Sequence, residues 1–404
     1  MNNNWIKNTI LFLGSQSISL FGSSLVQYAI LWHITLTTQS GMMMTISILC
    51  GFLPTLFISP FAGVWADRYN RKFLIILADS MIASFTLILA ILYLLGYEAL
   101  WLLFVISAIR SFGSGIQSPA VGAFLPQIVP EDRLMKVNAT NGSIQSLIML
   151  ASPMLGGALL TVAPIETIFF IDVITAAIAI TTLFFFLHVP AHAKAREKQE
   201  FSYFTDMKEG VAYIKSHDYV RHFFWFCAIF FFLAAPVAFL TPLQVTRSFG
   251  ADVWRLTAIE IAFALGMMLG GIIIAYWGGF KNKIHTMTLS CLCLGFFTIA
   301  LGIVPYFPIY LLIMGLSGLV MPFFNTPSTV LLQEKVEEDF LGRVFGVLTM
   351  IASSTMPLGM LFFGPLSDMI KIEWILIVTG FLMFIQGFFL LGNHVLLEAG
   401  KAKA

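Results

Sequence analysis

The sequence predicts an all-α integral membrane protein of about twelve spanning helices in two six-helix bundles, with both termini cytoplasmic. Three observations carry this. Of the 404 residues, 58% are hydrophobic and only 11% charged, far from the proportions of a soluble chain, and mean hydropathy is +0.90. Apolar runs of ~20 residues, enough to cross ~30 Å of hydrocarbon, recur from end to end. Lys and Arg also gather on alternate connections between those runs.

Divided at charges and turn residues, the runs fall at approximately 9–33, 41–65, 73–95, 99–125, 138–163, 166–188, 223–244, 255–277, 284–304, 308–332, 343–366 and 374–394. The first, behind MNNNWIKNTI, runs beyond the ~7–15 residues of a signal-peptide core and lacks a clear small-residue cleavage site, so it reads as a span. Within it Gln16, Ser19, Ser23 and Gln27 recur at spacings of three and four and form one stripe. The second run ends in the charged loop GVWADRYNRK, and the third carries Asp79. The fourth holds Arg110, the only charge between Glu98 and Glu131. The fifth opens on a second polar stripe, Asn138, Asn141 and Gln145, and continues into SPMLGG; the sixth carries Asp172. Later runs hold Phe230-Phe231-Phe232, Glu260, Cys291 with Cys293, and Asn325. Amides facing lipid would lack partners, so both stripes are expected to face the bundle interior or a wet cavity. Interhelical hydrogen bonding without a ligand is the alternative for each residue.

With a cytoplasmic N-terminus, the inner side collects Lys7, Arg68, Arg71, Lys72, Arg133, Lys136, the bases between Lys194 and Arg221, Lys281, Lys283, Lys335, Arg343, Lys401 and Lys403; the outer side holds only Arg247, Arg255 and Lys371. This asymmetry, and not the net charge of +1, sets orientation. The longest polar stretch, His188 to His222, lies mid-chain. It predicts bundles at 1–190 and 223–395, a cytoplasmic linker at 191–222 and a tail at 396–404. The halves echo each other: PEDRLMKV at 130–137 matches EEDFLGRV at 337–344, and AGVWADRYNRK at 62–72 lies opposite IAYWGGFKNKI at 274–284.

Intramembrane charges are rare and point to function. They are Asp79, Arg110, Asp172 and Glu260. Counted from Glu98, Arg110 lies ~18 Å along its helix, near the bilayer centre, while Asp172 and Glu260 lie ~6–9 Å from their outer ends. Arginine keeps its proton, so Arg110 is a counter-charge. Beside a carboxylate it favours the ionised form, and its withdrawal lets the acid take up a proton. Arg110 is therefore expected to alternate between these situations, with a static pair to Asp79 on the neighbouring helix as the alternative. Asp172 and Glu260 suit a cationic amine, or else snorkel to the interface. His33 and His188, near helix ends, read as interfacial side chains. The four cysteines fall in apolar runs, and Cys291 and Cys293 point to different helix faces, so neither disulfide nor metal is expected. The chain has no nucleotide-binding glycine loop, metal-spaced cluster or nucleophile elbow, so no enzyme, cofactor or direct ATP drive is expected.

GVWADRYNRK resembles the loop between helices two and three of the major facilitator superfamily, Gly-x-x-x-Asp-Arg-x-Gly-Arg-Arg/Lys. Asn70 replaces the usual Gly, and both tolerate a left-handed turn. The resemblance implies that Gly63, Asp67, Arg68, Arg71 and Lys72 form a cytoplasmic latch, with Asp67 suited to accept from a facing helix N-terminus. The copy Trp277–Lys283 lacks the acid, so a latch there is expected to be weaker or absent. SPMLGG resembles the superfamily's antiporter motif Gly-Pro-x-x-Gly-Gly at Pro153, Gly156 and Gly157, with Ser152 for Gly. Arg110-x-x-Gly113-x-Gly115 resembles its helix-four motif, to which proton coupling is attributed, with Phe112 where Gln is usual.

GIQSPAVGAFLPQIVPEDRLMK, AIEIAFALGMMLGG and MPFFNTPSTVLLQEKVEEDFLGRVFG look like the macrolide-efflux branch of drug:proton antiporters. The resemblance implies a major-facilitator-type fold whose halves rock about a midplane site. It implies export of macrolide-type or similar amphiphilic drugs in exchange for protons, from a bacterial plasma membrane, by a monomer without cofactor, metal or nucleic acid. Arg110, Asp79, Asp172 and Glu260 are the proton-coupling candidates. Gln16, Ser19, Ser23, Gln27, Asn141, Gln145 and Asn325 are the cavity candidates, with Phe230–Phe232 as aromatic wall. Export of a siderophore or other amphiphilic metabolite, an uncoupled lipid or metabolite facilitator and a ligand sensor remain open.

Overall fold

A backbone in hydrocarbon has no water to pair with, and a helix satisfies its N–H and C=O groups within one segment. Each long apolar run accordingly becomes a helix. The computed structural model describes residues 4–187, 189 and 212–401; the side chains of Asn4, Pro60, Asp67, Glu131, Glu338, Asp339, Leu341 and Arg343 lie outside that description. So do His188, most of the linker expected at 191–222, and residues 402–404. Among the described residues there are no strands.

The helices are α1 (Asn4–Thr38), α2 (Gly41–Arg68), α3 (Arg71–Leu94), α4 (Leu100–Ile128), α5 (Glu131–Val162) and α6 (Ile165–Thr181), which closes in a π-helical turn at Thr182–Phe186. They continue as α7 (Asp218–Phe239), α8 (Thr241–Ser248), α9 (Val253–Trp277), α10 (Lys283–Ile303), α11 (Phe307–Val320), α12 (Pro322–Lys335), α13 (Glu338–Met369), α14 (Ile372–Gly392) and α15 (His394–Ala399). Among the described residues, twelve stretches are long and apolar enough to span a membrane. Two of these are composite: α7 runs into α8 and α11 into α12, each new helix carrying a proline in its first turn, where the missing N–H has no intrahelical partner to lose. The helices α5 and α13 start several residues before the apolar runs. Their polar first turns extend a helix that needs hydrophobic side chains only where it meets lipid.

The chain divides into two compact units, Met1–Thr37 with Ile46–Phe201, and Thr38–Thr45 with Ser202–Ala404. In the first, α3 packs on both α4 and α6. The basic loop between α2 and α3 joins helix ends: Arg71 donates to the carbonyls of Ala66 (2.9 Å) and Ala123 (2.8 Å), and Lys72 to those of Leu187 (2.7 Å) and Phe184 (3.3 Å). Asn70 does not form the expected left-handed turn. Its φ is −63° and ψ 112°, and its side chain accepts from the Phe73 N–H as the cap of α3, satisfying one of the donors a helix start leaves open.

In the second unit α10 and α14 meet at Gly295 and Gly380, where a Cβ on either would press into the other backbone; small residues allow this approach. Phe230 and Phe324 stack in the core with ring centroids 4.5 Å apart. The α1–α2 turn is fixed by Asp368 at the end of α13. This carboxylate accepts from Ser40 Oγ (2.8 Å), the N–H groups of Gly41 (2.7 Å) and Met42 (2.9 Å), and Arg247 (2.7 Å). An anion is favoured there because the first amides of α2 have no intrahelical acceptor.

Candidate functional site

Three helices of the first unit carry polar residues seven positions apart: Gln16 and Ser23 on α1, Asp79 and Thr86 on α3, Arg110 and Gln117 on α4. Seven residues are nearly two helical turns, so each pair shares a face, displaced ~10 Å along the axis. The α4 pair runs antiparallel to the others, and the side chains meet in two rungs. In one, Arg110 donates through Nη1 to both Thr86 Oγ1 and Asp172 Oδ2, and through Nη2 to the Ser23 carbonyl (3.3 Å). Ser23 Oγ donates to the other Asp172 oxygen (3.1 Å). In the second rung Asp79 accepts from Gln117 Nε2 (2.5 Å), Ser19 Oγ (3.3 Å) and Gln16 Nε2 (3.4 Å), while Gln117 also reaches Gln16 Oε1 (3.3 Å).

These are interior charges: relative exposure is 8% for Arg110, 2% for Asp79 and 0% for Asp172. Isolated charges at such depth are strongly unfavourable, so their pairing decides what the site does. Two of the alternatives left open by the sequence differ from the observed geometry. Arg110 pairs with Asp172, not with Asp79, and Asp172 does not snorkel. Gly22 explains the second: a Cβ there would overlap the Thr175 hydroxyl and lie 3.0 Å from the Asp172 backbone, so its absence lets α1 close on α6 and Ser23 reach the acid. Gln117 and Thr86 were missed in the sequence, although their seven-residue spacing from Arg110 and Asp79 was the available signal.

The remaining expected residues are more scattered. Glu260 lies half-buried on α9 in the second unit, with no hydrogen bond or ion pair to a described residue. Of the cavity candidates, Gln16, Ser19 and Ser23 are engaged with the two acids; Gln27, Gln145 and Asn325 are exposed and Asn141 half-buried. Phe230 is core. In the basic motif Gly63 is half-buried and Arg68 exposed, and the Asp67 side chain lies outside the described residues. In the proline–glycine motif α5 runs helically through Pro153; a Cβ on Gly156 would lie 3.6 Å from the Leu25 side chain of α1, and Gly157 is buried. In the second unit's copy of the basic loop, Lys283 pairs with Glu334 (2.8 Å) and Asn282 caps α10. All four cysteines are free.

The Major Facilitator Superfamily model matches residues 12–360. The chain is 30% identical over 383 residues to Macrolide efflux protein A of Streptococcus pyogenes, covering 94% of each. It is likewise 30% identical over 323 residues to the Macrolide efflux protein A of Enterococcus faecalis, covering 80% of this chain and 99% of that one. A bacterial homolog to the human lysosomal transporter Spinster, solved in an inward-facing and unoccupied conformation, shares the fold at a TM-score of 0.75 and 12% identity over the full length of both chains. These relatives are transporters, not enzymes. A family match across most of the chain, twelve membrane-length helices and end-to-end identity with efflux proteins place it: this is a multi-pass membrane transporter that belongs to the major facilitator superfamily, in its macrolide-efflux branch.

Proposed function

We propose that the protein exports macrolide-type antibiotics or similar amphiphilic drugs across the bacterial plasma membrane, in exchange for protons, by alternating access. The observation that carries the coupling is the buried network of the first unit, which encloses two carboxylates and a single guanidinium. One negative charge is left over, and a group that gains or loses a proton there changes the net charge held between the helices. Identity with the macrolide efflux proteins supports the substrate class. Macrolides are large, mostly apolar and carry an amine, and Glu260, an acid without a partner among the described residues, suits that amine.

The test is accumulation of labelled erythromycin in cells with and without the protein, before and after collapse of the proton gradient. Lower accumulation that rises to the control level on collapse is expected. Equal accumulation with and without the protein overturns the substrate, and low accumulation that survives collapse overturns the coupling.

A further inference from the structure

We propose that Asp79, and not Asp172, is the carboxyl that takes up and releases the coupled proton, held in a cradle of Gln16, Ser19 and Gln117. This rests on the proton-coupled reading above and narrows it from four charged residues to one.

The neighbours of the two acids differ in kind. Asp172 is fixed by a cation, since Arg110 donates to one carboxylate oxygen and Ser23 to the other. Protonating Asp172 would leave the guanidinium without its anion in a nearly dry interior, which is strongly unfavourable. Asp79 has only neutral partners. The α1 helix presents Gln16 and Ser19 to it, and α4 presents Gln117; the charges of the adjoining rung are Arg110 on α4 and Asp172 on α6, and these are taken up by each other. Protonation of Asp79 therefore strands no cation and removes the one uncompensated charge of the network.

The cradle also suits both protonation states. An ionised carboxylate only accepts, and it receives two amide N–H groups and a hydroxyl. When a hydronium ion delivers a proton, one O–H bond forms on an Asp79 oxygen as one O–H bond of the hydronium breaks, leaving water. The new O–H needs an acceptor, and each glutamine amide has a carbonyl to offer once it turns about its terminal torsion. Gln16 and Gln117 already touch, at 3.3 Å, so a turn of one amide alters the contact of the other. Through these contacts the protonation state of α3 is felt on α1 and α4. In this division of roles Arg110 and Asp172 form the fixed rung, and Asp79 with its amides forms the titrating one.

The experiment is infrared difference spectroscopy of the full chain in liposomes, stepped from alkaline to acid pH, with and without aspartate labelled with carbon-13 at its side-chain carboxyl. Expected is a high-frequency C=O band of a water-excluded carboxylic acid that shifts with the label, vanishes in Asp79→Asn and survives in Asp172→Asn. In Asp79→Glu the band should return and no longer respond to the aspartate label, which decides the matter if either Asn variant fails to fold. A band that survives in Asp79→Asn, keeps its aspartate-label shift in Asp79→Glu, or is absent from the native protein overturns the assignment. Failure of the export reading looks different: an Asp79 band in a protein that leaves erythromycin accumulation unchanged removes the substrate and keeps the proton site.

Discussion

Arg110 stood out in the sequence as a charge in an apolar helix, and the structure explains its retention by giving it three acceptors, one of them the fully buried Asp172. Removing it should leave that carboxylate alone in the interior. Arg110→Ala is expected to destabilise the first unit by about 3–5 kcal/mol, read as a lower melting temperature in detergent and reduced yield. In the double variant Arg110→Ala with Asp172→Ala, a substantial part of that loss should return, because no unpaired charge remains; strictly additive losses would show that the pair is not coupled. The sequence named Arg110 and all of the buried acids, but it could not name the pair. Which acid faces Arg110 depends on how α6 is rotated about its axis, and beyond Glu166 in its first turn α6 is apolar around its whole circumference apart from Asp172 and Thr residues. No amphipathic pattern fixes that rotation; the contact at Gly22 does.

At the scale of elements, the spans were legible because hydrocarbon thickness sets their length, and the α1 stripe was legible because its spacing is helical. Its use was not: three of its four polar residues serve two acids on other helices, while Gln27 remains exposed. That arrangement depends on the close approach of α1 and α6. Gly22→Ala is expected to cost about 1–3 kcal/mol through overpacking against Thr175, and to disturb the bond from Ser23 to Asp172. The matched control is Gly14→Ala on the same helix, where an added Cβ meets nothing within 4 Å and stability should hold or rise slightly; equal melting shifts for the two would contradict the contact. The Asp368 clamp was not legible, because Asp368 and Arg247 lie near span ends, where single charges are common. Four groups donate to that carboxylate, so Asp368→Ala should lower stability by about 1–3 kcal/mol. Thermal melts should show Arg247→Ala adding little once Asp368 has been removed.

At the scale of the whole molecule, the internal echoes proved informative in a way that the family pattern did not. Asn70 and Asn282 occupy equivalent places in the stretches 62–72 and 274–284, and both cap the helix that follows. The left-handed turn that the resemblance implied for the first loop occurs instead in the second, at Gly278 (φ 72°) and Gly279 (φ 79°). A repeat thus preserves the cap while the backbone before it diverges, and the same divergence extends to charge. The first unit holds an arginine and two acids in its interior, whereas the buried Gln244–Tyr310 bond of the second is neutral (2.8 Å), leaving half-buried Glu260 as its acid within α9. If proton chemistry belongs to the first unit and recognition of a substrate amine to Glu260, the two should separate by mutation. Glu260→Gln is expected to raise accumulation of an amine-bearing macrolide severalfold while leaving gradient-dependent export of an uncharged amphiphile close to native. Asp79→Asn should abolish the gradient dependence of both. Accumulation assays with the paired substrates read the difference, and an equal loss for both substrates in Glu260→Gln would place that acid in coupling rather than in recognition.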